Sequence, residues 1–492
     1  MIALLLAADL ILRGGAVYTL DQAKPWASAV VIQNGRIVYV GDDAGTKDFS
    51  GEVIELKGRM VLPGLHDSHL HPMTGGMSLL RCKLGTDVYG SVRVCAARKG
   101  EWLIGKGWSL KTFKPSLAKL DELVPDRPAF LTTEDGYTAW VNSKALAIAG
   151  IESKSGVLTG DDAALIRRLL PKPTEADYHE AFRLVSRQLN GFGITSLVDA
   201  NAGEAVLRAY SSADLTVRVV AAQQIDPRRG PEQVDELVAR RERFRGPRFR
   251  ADGAKFFLDG EIDQHTAALL DGVGKLFFEP DALNALVRRL DAEGFLIHMH
   301  AMGDLAVRAG LDAFEAAIAV NGPRDRRHQL AHLGVADPVD LPRFGKLGVT
   351  ANYTPIWAQD SDEAMAPTKA ALGPGRSRWI YPFASIAKSG GRVVASSDWP
   401  SPSMNPFEAM QAALTRQPER MTLPQILAAY TRDAAWAAHE EETDGTIQVG
   451  KAADLVLLDR NLFKIKAAKL HEVRVLLTLL DGKPVYRAEN WR

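Results

Sequence analysis

Two histidines one residue apart, His69 and His71 in Leu65-His66-Asp67-Ser68-His69-Leu70-His71-Pro72, are the first residues whose spacing suggests chemistry. Side chains alternate faces along a strand, so residues i and i+2 point the same way. Two imidazoles on one face can donate to one cation. A His-x-His pair also arises by chance at the polar end of a strand, so it needs support from elsewhere in the chain. Four other apolar runs supply it. Lys255 lies in Gly253-Ala254-Lys255-Phe256-Phe257-Leu258, and His300 closes Ile297-His298-Met299-His300. His332 closes Arg327-His328-Gln329-Leu330-Ala331-His332, and Asp398 follows Ala395-Ser396-Ser397. Singly, each is better explained by packing; placed in or at the ends of separate strands, together they point to a metal site.

The elements that must position these groups are legible as a pattern. Between residues 61 and 430, β-rich apolar runs alternate with helical periodicity, the mark of a parallel βα architecture. Eight runs qualify as strands: 61–69, 193–199, 216–223, 253–258, 295–300, 327–332, 348–352 and 392–397. Eight such units predict an α/β fold of the (β/α)8 TIM-barrel type, whose chemistry sits at the C-terminal ends of the strands. A stretch of about 80–190 is too long for a crossover and reads as an insertion. Its run Ala129-Phe130-Leu131-Thr132-Thr133 could replace 216–223 as a barrel strand. Residues 1–60 and 431–492 carry short β runs and turns, including an Asn34-Gly35 hairpin hinge. Neither end suffices for a stable domain, so both are expected to join in one small composite β-sandwich.

Composition narrows the function classes. The 492 residues include 60 basic and 60 acidic side chains, so no global field favours nucleic acid or an anionic membrane. A small-molecule substrate is the expected partner, with a homo-oligomer left open. No run approaches the roughly 18 apolar residues of a membrane helix. The chain is expected in the cytoplasm, or in the periplasm if the apolar Met1-Ile2-Ala3-Leu4-Leu5-Leu6 is the remnant of a signal peptide. Cys82 and Cys95 are too few for a disulfide framework or a thiolate zinc site; they could pair, but read first as buried free thiols. No Gly-x-Ser-x-Gly elbow occurs, which removes the usual nucleophilic-serine reading.

The ordered motifs resemble the amidohydrolase superfamily, specifically amidohydrolase family 3 of the YtcJ-like kind. They are Leu62-Pro63-Gly64 with Asp67-Ser68-His69-Leu70-His71-Pro72; Gly136-Tyr137-Thr138-Ala139-Trp140-Val141-Asn142-Ser143; and Lys255-Phe256-Phe257-Leu258-Asp259-Gly260. His300-Ala301-Met302-Gly303-Asp304, Ser397-Asp398-Trp399-Pro400 and Gly445-Thr446-Ile447-Gln448-Val449-Gly450-Lys451-Ala452-Ala453-Asp454 complete the set. The resemblance implies a metal-dependent hydrolase of C–N, amide-type bonds other than peptide bonds. Its cofactor is a divalent metal, usually zinc, as one or two ions. The implied ligands are His69, His71, Lys255, His300, His332 and Asp398, with Lys255 N6-carboxylated to bridge a binuclear centre and Asp398 also the catalytic acid–base. For Lys255 the alternative is an ion pair with Asp259, and on strand five either His298 or His300 could be the ligand. His66 reads as structural, and His328 as core or as support for a ligand. The chain departs from the family at Gly136-Tyr137-Thr138, at Ala331 and in the loop after Lys255. Trp108, Tyr137, Trp140, Trp357 and Trp399 are candidates for an apolar substrate pocket, and His265 for a substrate contact. Alternative activities on the same site are a dipeptidase or a cyclic-amide hydrolase. A deaminase is less favoured, because Gly303 stands where such enzymes often carry a glutamate.

Overall fold

A computed structural model of the chain describes residues 6–134, 136–359, 362–489 and 491. The chain forms two compact units, Met1–Pro72 with Val185–Arg492, and Met73–Leu184. Among the described residues no helix is long and apolar enough to cross a membrane.

Eight strands of the first unit run parallel and in sequence order: β1 Leu65–Leu70, β2 Ile194–Ala202, β3 Arg218–Gln224, β4 Phe249–Phe257, β5 Leu296–Ala301, β6 Gln329–His332, β7 Thr350–Tyr353 and β8 Arg392–Ala395. Their residues are buried almost throughout, as expected for a parallel sheet covered on both faces. Helices such as Pro280–Ala292 and Asp304–Asn321 make the crossovers. The β1–β8 seam is short: the Asp398 amide donates to the His69 carbonyl at 2.8 Å, and the His71 amide to the Trp399 carbonyl at 2.8 Å. The result is the nearly closed barrel expected from the sequence.

All eight expected runs contribute a barrel strand, with one correction. The run 61–69 is not a single strand. Met60–Pro63 pairs with Leu455–Leu458 and Ala16–Tyr18 in another sheet, and only Leu65–Leu70 enters the barrel. Gly64 makes the break; a Cβ there would lie 2.1 Å from the Thr195 hydroxyl, so the two backbones could not approach. Apolar periodicity is blind to such a change of sheet, since both halves are buried. The rival assignment fails, because Ala129–Thr133 pairs with Leu103–Trp108 and Ala139–Val141 inside the other unit.

The two chain ends interleave in one sandwich. A four-stranded sheet holds Leu6–Arg13, Ala29–Gln33, Arg36–Gly41 and Phe49–Glu55. A six-stranded sheet joins Ala16–Tyr18, Trp26–Ala27 and Met60–Pro63 to Leu455–Leu458, Val475–Leu480 and Lys483–Arg487. Leu10, Ile32 and Val61 share its core with Leu455, Leu457 and Leu477. Asn34 and Gly35 both adopt positive φ, 50° and 73°, as a two-residue hairpin turn of the favoured twist requires.

The unit Met73–Leu184 is built on a five-stranded sheet ordered Val157–Leu158, Ala139–Val141, Ala129–Thr133, Leu103–Trp108 and Cys82–Lys83. Cys82 and Cys95 form a disulfide, which overturns the expectation of free thiols. The short strand Cys82–Lys83 and the helix Val88–Ala96 bring the two sulfurs together, a tertiary approach that spacing alone does not reveal.

At the N-terminal end of the barrel a partly buried charge network ties strands to the C-terminal segment. Arg218 on β3 contacts Asp454 at 2.8 Å and Asp444 at 3.6 Å, and also pairs with Asp481. Arg248 reaches Asp481 at 2.8 Å, and Arg250 reaches Asp252 at 2.8 Å and Glu440 at 3.5 Å. His66 lies 3.1 Å from Asp444. Removing one partner strands the others without compensation. Arg218→Met should therefore destabilise the protein by about 3–5 kcal/mol, read as a lowered urea midpoint; an unchanged midpoint would refute the role. Burial by itself lowers the His66 pKa, but the Asp444 carboxylate outweighs it and holds the ring above its ordinary value. A raised folded pKa stabilises below the unfolded value of about 6.5 and loses that contribution as pH rises through the folded value. The stability difference between wild type and His66→Gln should accordingly shrink as pH climbs above about 6.5, measured by denaturant titration at several pH values.

Candidate metal centre

The site is assembled from the C-terminal ends of β1, β4, β5, β6 and β8. On β1, Asp67 uses one carboxylate oxygen to accept the Ser397 amide at 3.0 Å and the His69 amide at 3.3 Å. That acceptor fastens β1 to the residues after β8, and burial pushes the Asp67 pKa up to about 7. The fastening sets Asp398 beside the histidine pair: its Oδ1 lies 3.2 Å from His69 Nε2 and 3.3 Å from His71 Nε2. Among the described residues, His69, His71 and Asp398 are one of two groups whose donor atoms lie close enough to share a cation. The other, His66, Glu440 and Asp444, already has guanidinium partners in Arg218 and Arg250 and reads as an ion-pair network.

The remaining expected donors converge on the same place. The His332 ring stands 4.7 Å from that of His69 and 4.7 Å from that of His300. Lys255 is fully buried, with Nζ 4.6 Å above the Phe257 ring. Asp259 is not its partner. That carboxylate instead accepts the amides of Met302, Gly303 and Ala268 at 2.8–2.9 Å, lacing the loop after β4 to the loop after β5. Asp304 does similar work, accepting the Leu270 amide at 2.8 Å and pairing with Arg376 at 3.0 Å. The sequence offered Asp259 as an ion-pair partner for Lys255 and Asp304 only as a motif letter; in the structure both hold loops.

Burial governs the electrostatics. It drives the Lys255 pKa down to about 7, so a neutral amine is accessible near neutrality. It drives the His300 pKa down to about 3 and those of His69, His298 and His332 well below the ordinary value, with the Lys255 charge adding to each. Neutral imidazoles have lone pairs to give. Burial opposes ionisation of Asp398, but a hydrogen bond from His71 and the charges of His332, His71 and Lys255 bring its carboxyl below the usual range.

Four buried atoms on four strands make no hydrogen bond within the protein: His69 Nε2, Lys255 Nζ, His300 Nε2 and His332 Nδ1. Buried polar atoms are normally satisfied. Nitrogen donors of this kind suit a divalent cation, so the donor types fit a metal, and His69, His71 and Asp398 already lie close enough to share one. Backbone strain marks the same spot, since His332 and Asp398 adopt φ of 74° and 51°, uncommon for residues other than glycine.

The candidate substrate residues divide. Trp357 stacks on His332 at 5.0 Å and 13°, with its Nε1 donating to the Ser401 carbonyl. Trp399 follows Asp398 directly and is mostly buried. Trp108 and Trp140 are not pocket residues. Both are buried in the core of the unit Met73–Leu184, where their indoles donate to the carbonyls of Leu131 and Ser116. Tyr137 and His265 are exposed. His328 is structural, accepting the Ile297 amide at 3.2 Å and meeting Asp291 at 3.2 Å. The His298 ring also lies 4.7 Å from that of His69, and its Nε2 stands 2.7 Å from His69 Nδ1, whereas His69 Nε2 faces Asp398.

A family model described as an amidohydrolase family matches residues 52–486. The chain is 28% identical to Protein LONG AFTER FAR-RED 3 of Arabidopsis thaliana, over 98% of this chain and 92% of that protein. It is 25% identical to an N-substituted formamide deformylase of Arthrobacter pascens, over 96% and 97% of the two chains. A solved structure of an uncharacterized metal-dependent hydrolase from Pyrococcus furiosus superposes with a TM-score of 0.78 and 26% identity, covering 92% of this chain and 99% of that one.

Metal removal gives a direct test of the centre. Dialysis against a chelator should lower the melting temperature, and zinc at a thousandfold excess over its dissociation constant should return about 4 kcal/mol. His69→Ala should melt at the same temperature with and without zinc; an undiminished zinc response would count against the site.

Proposed function

The chain belongs to the amidohydrolase family, and on that footing we propose that it hydrolyses a C–N, amide-type bond of a small molecule at His69, His71, Lys255, His300, His332 and Asp398. The observation that carries this reading is a set of four buried nitrogen atoms that make no hydrogen bond within the protein, one of them, His69 Nε2, beside an ionised aspartate that also meets His71. A divalent cation bound there, zinc by family preference and in one or two positions, lowers the pKa of water toward neutrality and polarises a carbonyl. Lys255 is the residue best suited to bridge two positions. As an ammonium it would be an unpaired buried charge of the wrong sign; its neutral amine can instead add CO₂, releasing one proton to leave a carbamate anion. The depressed pKa keeps that amine accessible.

Asp398 handles the protons. Ionised at neutral pH, it accepts a proton from the attacking water and delivers it to the departing nitrogen as the C–N bond breaks. His71 steadies the carboxylate at 3.3 Å, and the strained backbone at Asp398 aims it at the histidine pair. The indole of Trp357 walls the His332 side and restricts how that ring can turn. The name of the Arthrobacter relative, a formamide deformylase, accords with amide-type hydrolysis. A dipeptidase or cyclic-amide hydrolase would use the same donors. The deaminase arrangement is disfavoured sterically as well as by sequence: a Cβ on Gly303 would fall 2.0 Å from the Ala268 carbonyl oxygen, so no glutamate fits there.

The substrate class is to be found by screening purified protein against N-acyl amino acids, formamides, dipeptides and cyclic amides. On any substrate found, Asp398→Asn should lower kcat by about 10²–10⁴-fold while elemental analysis shows most of the metal retained. Full turnover by Asp398→Asn, or a folded wild type that takes up no divalent metal, would overturn the proposal.

A further inference from the structure

His298 is a buried histidine of β5 that the proposed reaction does not use. Its backbone pairs with Lys255 across β4 and β5, and His300 lies two residues further along β5, so all three sit on the barrel's inner side with His298 one layer deeper. It is 1% exposed, and its Nε2 stands 2.7 Å from Nδ1 of His69, itself 1% exposed. The other nitrogen of His69, Nε2, faces Asp398 Oδ1 at 3.2 Å.

A neutral imidazole has one N–H donor and one lone-pair acceptor. With two such rings hydrogen-bonded nitrogen to nitrogen, only two arrangements exist. In one, His298 Nε2–H donates to His69 Nδ1, and the His69 proton sits on Nε2, where no lone pair is left for a cation. In the other, His69 Nδ1–H donates to His298 Nε2, and His69 Nε2 is free to ligate. The second is the only neutral arrangement compatible with His69 as a ligand, and it requires His298 to be the acceptor. We infer that His298 is a positioning residue that fixes the tautomer and ring orientation of His69 through the Nδ1–H···Nε2 hydrogen bond. Ligating histidines commonly have their second nitrogen held this way, usually by a carboxylate or carbonyl. Here a second imidazole takes that part. The inference rests on reading the six-residue group as a metal centre. It also separates the two strand-five histidines: His300 is turned toward His332, and His298 is committed to His69.

The test compares His298→Gln, His298→Leu and wild type as full-length proteins, with zinc affinity measured by chelator competition, metal content by elemental analysis and ligand field by the absorption of the cobalt-substituted forms. The Gln carbonyl can occupy the place of Nε2 and accept from His69; Leu cannot. His298→Leu should weaken zinc binding about 10–100-fold and shift the cobalt spectrum, with the metal-free melting temperature near that of wild type. His298→Gln should recover most of the affinity. Should Leu prevent folding, His298→Asn replaces it, since the shorter carbonyl stops short of His69. Wild-type affinity in His298→Leu, or a Gln variant as weak as Leu at equal metal-free stability, would overturn the inference. Loss of one whole equivalent of metal in every variant would make His298 a ligand and overturn it equally. A wild type that binds no metal would instead refute the metal centre, an outcome distinguishable from the others.

Discussion

Where β1 meets β8 the barrel is held shut by a handful of hydrogen bonds, and the chemistry depends on them. The Asp398 amide reaches the His69 carbonyl, the His71 amide reaches the Trp399 carbonyl, and the Asp67 carboxylate spans the seam to Ser397. These contacts join residues separated by more than 300 positions. They also fix phase. Side chains alternate along a strand, so a slip of one residue between β1 and β8 would turn Asp398 or the histidine pair away from the interior. The closing seam and the candidate metal centre thus share one corner of the barrel, because the strand ends that complete the sheet carry His69, His71 and Asp398.

That corner stores unfavourable electrostatics. Four imidazoles, a lysine and an aspartate crowd into a buried volume, and several of their polar atoms have no protein partner. The surroundings hold them in place: Asp259 and Asp304 lace the loops after β4 and β5, Trp357 stacks on His332, and His298 engages the far nitrogen of His69. A cation would turn the cost of burial into binding energy, since neutral rings and an ionised carboxylate need no further change before they donate.

The opposite end of the barrel solves a different problem. There Arg218, Arg248 and Arg250 meet Asp444, Asp454, Asp481 and Glu440, and the charges are compensated within the protein. The network binds barrel strands to a segment that continues into the sandwich. In this architecture the C-terminal face carries reaction and the other face carries stability. The two histidines of β1 illustrate it: His66, at the start of the strand, pairs with Asp444, whereas His69, near its end, faces Asp398.

The sequence alone determined the alternation of strand and helix, the eight barrel runs and the β character of both chain ends, and it named six candidate donors at the strand ends. Each is a local signal, carried by the period of apolar residues or by chemical types at strand ends. Tertiary structure decided what local signals cannot carry. It split 61–69 between two sheets at Gly64, since burial looks the same in either sheet. It joined Cys82 to Cys95 and sent Trp108 and Trp140 into the core of their own unit, because aromatic and thiol side chains read alike whether they pack or react. It distinguished His298 from His300, which share a face and differ only in depth along β5. Periodicity reports which side of a strand a residue faces; what it meets there depends on strands far away in sequence, and only the closed barrel sets those distances.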